Sequence, residues 1–139
     1  MNHQRTTLIY EIMHSDRRVA TIDTSGHCKI YFKSFMPYNL YLEPEDDIDT
    51  LVNNITNFYY WCSTRVLTLD RTYAKAILNS IGMLQAVTDR ERAQIALSYR
   101  CLSLTDVFWI RQKEEKITFA EVNLYDNHLE NTFIDISLK

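Results

Sequence analysis

The chain has 139 residues, 46% hydrophobic and 24% charged, with a net charge of −3. That is enough for one domain with its own core, and the composition is too balanced for a disordered segment. Only 2 glycines are present, and Gly26 and Gly82 stand far apart, which excludes phosphate loops and dinucleotide-binding turns, since both need clustered glycines.

In chain order, Leu8, Tyr10 and Ile12 alternate with polar positions, and the charged turn Ser15-Asp16-Arg17-Arg18 leads into Val19-Ala20-Thr21-Ile22. Ser25-Gly26 then turns the chain into Cys28-Lys29-Ile30-Tyr31-Phe32. A period of two with this punctuation predicts an antiparallel meander over 6–32. Residues 33–44 read as an aromatic connection with irregular backbone at Pro37 and Pro44.

A long helix follows, with Ile48, Leu51, Val52, Ile55, Phe58, Tyr59, Cys62 and Val66 at helical spacing and Asp46, Asp47 and Asp49 at its start. A second helix is expected from Asp70 to a C-terminal Gly82, and a third from Thr88, with Glu91 completing a capping box and Ala93, Ile95, Ala96 and Tyr99 facing inward to about Leu102. Strand character returns at Val107–Ile110 and Ile117–Phe119, residues 121–131 read as turn or short helix, and Phe133–Leu138 as a strand or docking segment. The fold class is α+β in a single domain, 1–139: a strand-rich part (1–44), a helical part of about three helices (45–102) and a short mixed end (103–139).

Glu43-Pro44-Glu45-Asp46-Asp47-Ile48-Asp49 places five carboxylates in seven positions. The mid-loop glycine and distal glutamate of a calcium loop are missing, which leaves helix capping on a solvated turn, or a negative patch for a basic partner. Cys28, Cys62 and Cys101 lie among apolar or aromatic neighbours without a CxxC pair, and read as three reduced, buried thiols. His3, His14, His27 and His128 share no metal spacing, and Ser103 with Asp106 reads as a cap or turn. No catalytic residue, cofactor-binding residue or metal ligand is assigned, and the chain is expected not to be an enzyme.

Aromatic residues say more. Phe58-Tyr59-Tyr60-Trp61 puts four in succession on the long helix, more than one face can bury. Tyr60 and Trp61 are therefore either outward anchors for a partner or covered by a second layer, while Trp109 reads as core. The candidate partner-binding residues are Glu43, Glu45, Asp46, Asp47, Asp49, Tyr60 and Trp61. No basic and aromatic residues pair as in an RNA-reading sheet, so direct nucleic-acid binding is not expected.

Leu67-Thr68-Leu69-Asp70-Arg71-Thr72-Tyr73-Ala74-Lys75 with Ile77–Gly82, the run Cys101–Ile110 and the run Glu121–Leu129 resemble the non-catalytic region ahead of the kinase domain in HipA-like (CtkA-like) kinase proteins of Firmicutes. The resemblance runs roughly from the acidic turn to the C-terminus. It implies an accessory domain without kinase activity, either part of a larger protein or a free-standing relative that acts on a partner in a toxin–antitoxin module; no family catalytic residue carries over. The expected function is a regulatory domain that binds a protein partner, a kinase-like domain, through exposed aromatics and the acidic turn. The alternative is a small phage or mobile-element inhibitor of a host defence nuclease complex, anti-CRISPR-like, whose acidic surface competes with nucleic acid. With neither a secretory h-region nor a membrane-length apolar run, a cytoplasmic location without membrane contact is expected.

Overall fold

The computed structural model describes residues 8–65, 88–103, 106–123 and 126. The early alternation becomes strands β1 (Ile9–His14), β2 (Arg17–Asp23) and β3 (Cys28–Ile30), and β4 (Phe108–Gln112) joins the far side of β1. The result is an antiparallel sheet in the order β3-β2-β1-β4. Between β2 and β3, the Asp23 carboxylate accepts hydrogen bonds from the N–H groups of Ser25 (2.9 Å) and His27 (3.0 Å), and Gly26 takes a φ of 98°. The expected meander and the α+β fold class are what the chain adopts.

Successive side chains of a strand point to opposite faces. Tyr10, Ile12, Ile22 and Ile110 face the main core, where helices α1 (Ile48–Thr64) and α2 (Asp89–Ser98) bring Phe58, Trp61, Cys62, Ala93, Ile95 and Ala96. Met13 and Trp109 point the other way and form a smaller cluster with Leu102 and Val122. The register shifts between Ile12 and Met13: Ile12 pairs with Ala20, Met13 with Arg18, and Val19 is the extra residue. Such a bulge turns the side chains beyond it to the opposite face. Here Arg18 moves to the face of Glu11 and Met13.

Asp47 caps α1, accepting from the Thr50 N–H at 3.1 Å. Thr88 and Glu91 form the expected capping box of α2, whose inward residues Ala93, Ile95, Ala96 and Tyr99 are fully buried. This helix ends at Ser98, short of Leu102, because Arg100 (φ 66°) and Cys101 (φ 54°) adopt left-handed conformations that no α-helix continues through. The turn is held by the Cys101 N–H on the Ala96 carbonyl (2.8 Å), the Ile110 N–H on the Arg100 carbonyl (2.8 Å), and a two-pronged Arg100–Glu115 ion pair at 2.7 Å.

Ile117–Phe119 is not a strand. Thr118 instead caps a short helix, α3 (Phe119–Val122), through a capping box with Glu121. A threonine three residues before a glutamate satisfies two orphan N–H groups at once, which outweighs the β propensity of the isoleucine and phenylalanine around it. The helix expected at Asp70–Gly82 and the segment expected at Phe133–Leu138 lie outside the described residues, as does nearly all of the stretch after Asn123.

The Arg100–Glu115 pair makes the turn sensitive to acid. Burial pushes the Glu115 carboxyl up, but hydrogen bonds from Arg100 and the Gln112 N–H, with the charges of Arg100 and Arg111, outweigh it and hold the group below its usual range. A carboxyl depressed in the folded state contributes stability above its unfolded pKa, about 4.3, and that contribution is lost as pH falls through the folded value. Urea unfolding of Glu115→Gln should therefore lose less stability than wild type between about pH 5 and pH 3. Equal losses in the two proteins would remove Glu115 from the acid response.

Candidate functional site

Residues 31–49 run from the edge of the sheet to the first turn of α1, and their sequence sets which side chains stay outside. Lys33–Phe35 makes one 3-10 turn, after which Leu40 and Leu42 enter the core at 4% and 7% exposure. Tyr38 and Tyr41 are left outside at 93% and 68%. Helix α1 fixes this path. The Asn57 side-chain amide donates to the Tyr41 carbonyl at 3.0 Å, and Asn54 both donates to the Glu43 carbonyl (2.8 Å) and accepts from its N–H (2.9 Å). Tyr31, Phe32 and Phe35 also stay exposed, and the Arg17 guanidinium lies over Phe32 and Phe35 at 4.8 and 4.5 Å. A groove of about 640 Å³ follows the segment, lined among others by Ile30, Tyr31, Met36, Tyr38, Tyr41 and Pro44.

The groove runs into the acidic turn. Glu43, Glu45, Asp46, Asp47 and Asp49 are all exposed. Asp47 is the most constrained: hydrogen bonds from the Thr50 hydroxyl (2.8 Å) and N–H lower its carboxyl pKa. His27 sits between Asp23 (3.5 Å) and Asp46 (3.9 Å). Among the described residues, no three His, Cys, Asp or Glu side chains converge in a way that could hold a metal ion.

Cys28 lies behind the turn and is only half-buried, in contrast to the expectation of three buried thiols; Cys62 and Cys101 are buried, and all three are free. Burial first, then the charges of Glu43, Glu45, Asp23 and Asp46, push the Cys28 thiol up to about 11. Burial and the neighbouring Cys101 thiol likewise hold Cys62 well above the ordinary range. A thiol held protonated is a poor nucleophile, and Cys28 and Cys62 are both held in that state.

Trp61 is a correction. It is 2% exposed, in the core, beneath the Arg65 guanidinium at 4.7 Å. Ile48 and Val52, expected to face inward, are 76% and 55% exposed. The buried stripe of α1 is made of Asn54, Phe58, Trp61, Cys62 and Ser63, with buried Arg65 as its C-cap, so it includes polar residues that a purely apolar stripe leaves out. Tyr60 is exposed at 55%, as its selection required. It borders a separate groove with Tyr59 and Arg90, about 16 Å along the helix from Asp49. The structure thus brings the five carboxylates together, joins them to Tyr38 and Tyr41, and leaves Tyr60 apart. The signal for these tyrosines was the aromatic density of a proline-punctuated connection, because irregular backbone runs over the surface.

No helix among the described residues is long and apolar enough to cross a membrane. Comparison with known proteins finds no matching family model, no matching curated protein and no matching solved structure.

Proposed function

We propose that this chain is a non-enzymatic interaction domain that binds a protein partner along residues 31–49. The observation that carries the reading is the continuity of exposed aromatics with the acidic turn on a path fixed by Asn54 and Asn57. A backbone held in place loses less entropy on binding, and tyrosine rings carried on it can anchor an interface. Carboxylates beside them steer a basic partner and exclude acidic ones. The partner is accordingly a protein surface with apolar pockets and flanking lysines or arginines. On the resemblance to HipA-like proteins, that surface belongs to a kinase-like domain.

Tyr38 and Tyr41 make no core contacts, so Tyr38→Ala/Tyr41→Ala should keep its urea-unfolding free energy within about 0.5 kcal/mol of wild type. The same variant should lose about tenfold or more in affinity for the partner that wild type captures. Undiminished binding would remove the aromatic segment from the interface.

The concentration of exposed carboxylates at 43–49 favours a second reading, inhibition of a nucleic-acid-binding defence nuclease. Reversal at Glu45, Asp46 and Asp49 separates the two, with Asp47 left in place because it caps α1. Loss of nuclease inhibition supports the second reading. Reduced binding to a kinase-like domain, without any effect on a nuclease, supports the first.

A further inference from the structure

The sheet face opposite the main core is covered by the small cluster around Met13 and Trp109, and beyond that cluster it opens to solvent. Pairing across the four strands aligns Arg111, Glu11, Thr21 and Lys29 in one row. Glu11 is buried at 3% exposure and accepts from Arg111 at 2.8 Å and from Arg18 at 3.2 Å. Arg18 reaches this face because the bulge at Val19 turns it there, and its guanidinium packs on the Tyr31 ring at 4.2 Å.

One carboxylate shared by two guanidinium groups leaves a net positive charge. Lys29 and Lys113 add two more on the same cleft of about 230 Å³, and among the described residues neither lysine has a carboxylate within 4.0 Å. Asp23 also lines the cleft, but its oxygens are engaged by the Ser25 and His27 N–H groups and the His27 ring. A locally positive hollow has thus been built on a chain whose net charge is −3.

The geometry points to a binding site for a small phosphate-bearing ligand, a phosphomonoester. Arg18, held by the Tyr31 ring and Glu11, presents its remaining N–H donors from a fixed orientation. Lys29 and Lys113 line the same cleft as point charges, and Thr21 stands beside Lys29 in the row. Fixed guanidinium forks with unpaired ammonium groups are the chemistry that recognises phosphate dianions. The limited size of the hollow and the acidic turn beyond His27 favour a small ligand over an extended polyanion, which the net charge would repel.

The test is titration of backbone amide NMR signals with inorganic phosphate, phenyl phosphate and a single-stranded dodecanucleotide, each against chloride at matched ionic strength. The expected result is saturable shifts at Arg18, Thr21, Lys29 and Lys113 with both phosphate probes, and no tighter binding of the oligonucleotide. Lys29→Glu/Lys113→Glu should weaken phenyl phosphate binding about tenfold or more, with Lys29→Gln/Lys113→Gln in between. These side chains are exposed, so the thermal midpoint should hold. Shifts that stay linear with concentration, or affinity unchanged in both variants, would overturn the site. Tighter binding of the oligonucleotide would overturn the small-ligand assignment and put a nucleic acid there instead.

Discussion

Replacing Arg65 with alanine should destabilise the fold by about 3 kcal/mol, the low end of the range for a fully buried ion pair, because the Asp106 side chain is 33% exposed. The residue ends α1 and is 6% exposed. Its Nε donates to the Cys101 carbonyl, its Nη1 and Nη2 reach the two Asp106 oxygens at 3.0 and 2.6 Å, and Nη2 also reaches the Phe108 carbonyl at 3.1 Å. One side chain thereby ties the end of α1 to the left-handed turn after α2 and to the entry of β4. Truncation removes the Arg65 donor from two carbonyls and leaves the partly desolvated Asp106 carboxylate with only the Phe108 N–H among the described residues, and it opens a void over Trp61. Arg65→Lys keeps the charge but not the fork, so it should recover less than half of the loss. Urea unfolding measures both. An alanine variant within about 1 kcal/mol of wild type would mean that these contacts are not coupled to the fold.

Gly26→Ala is the second large effect, and its cause is steric. A Cβ at this position would stand 2.2 Å from the Leu51 carbonyl oxygen and 2.8 Å from its carbon. Both are backbone atoms in the first turns of α1, so no rotamer change relieves the clash. The φ of 98° adds strain for any residue with a side chain. The turn is also fixed from the helix side, since Asn54 donates to the Gly26 carbonyl at 2.9 Å. Relief requires the turn to lift off α1, which breaks that hydrogen bond as well. A loss of about 3 kcal/mol or more is expected. A thermal midpoint within about 2 °C of wild type would show that the turn and helix are not in close contact.

These two residues mark where the sequence was legible and where it was not. Gly26 was readable as a turn, because a lone glycine after serine between two alternating runs has few other uses. Its contact with α1 was not readable, because a tertiary approach leaves no local pattern. The caps at Asp47 and Thr88 were legible for the same local reason: a side-chain oxygen within three residues of an orphan N–H. Arg65 and Asn54 were hidden because an apolar stripe is traced by hydrophobic residues, and both are polar yet buried. Their omission rotated the inferred face of α1 toward Val52 and left Trp61 among the candidate partner contacts. The bulge at Val19 was hidden too, although it decides that Arg18 meets Glu11 and Tyr31.

In the candidate site, the acidic turn was found from composition alone, while its aromatic neighbours in the 33–44 connection were noticed without being selected. Consecutive aromatics on a helix draw attention, yet core packing claims most of them: Phe58 and Trp61 are buried, and Tyr59 packs against the core. Aromatics on a surface connection have no such competing use, so Tyr38 and Tyr41 are the better candidates for partner contact.

The measurement that bears most directly on this account is photo-crosslinking from position 38, with a photoreactive phenylalanine analogue in place of Tyr38 and the same analogue at Glu114, beyond the far edge of the sheet, as reference. One dominant protein adduct is expected from position 38, absent from position 114 and lost when Glu45 and Asp46 are changed to lysine. The same adduct from both positions, or an adduct indifferent to the charge reversal, would contradict it.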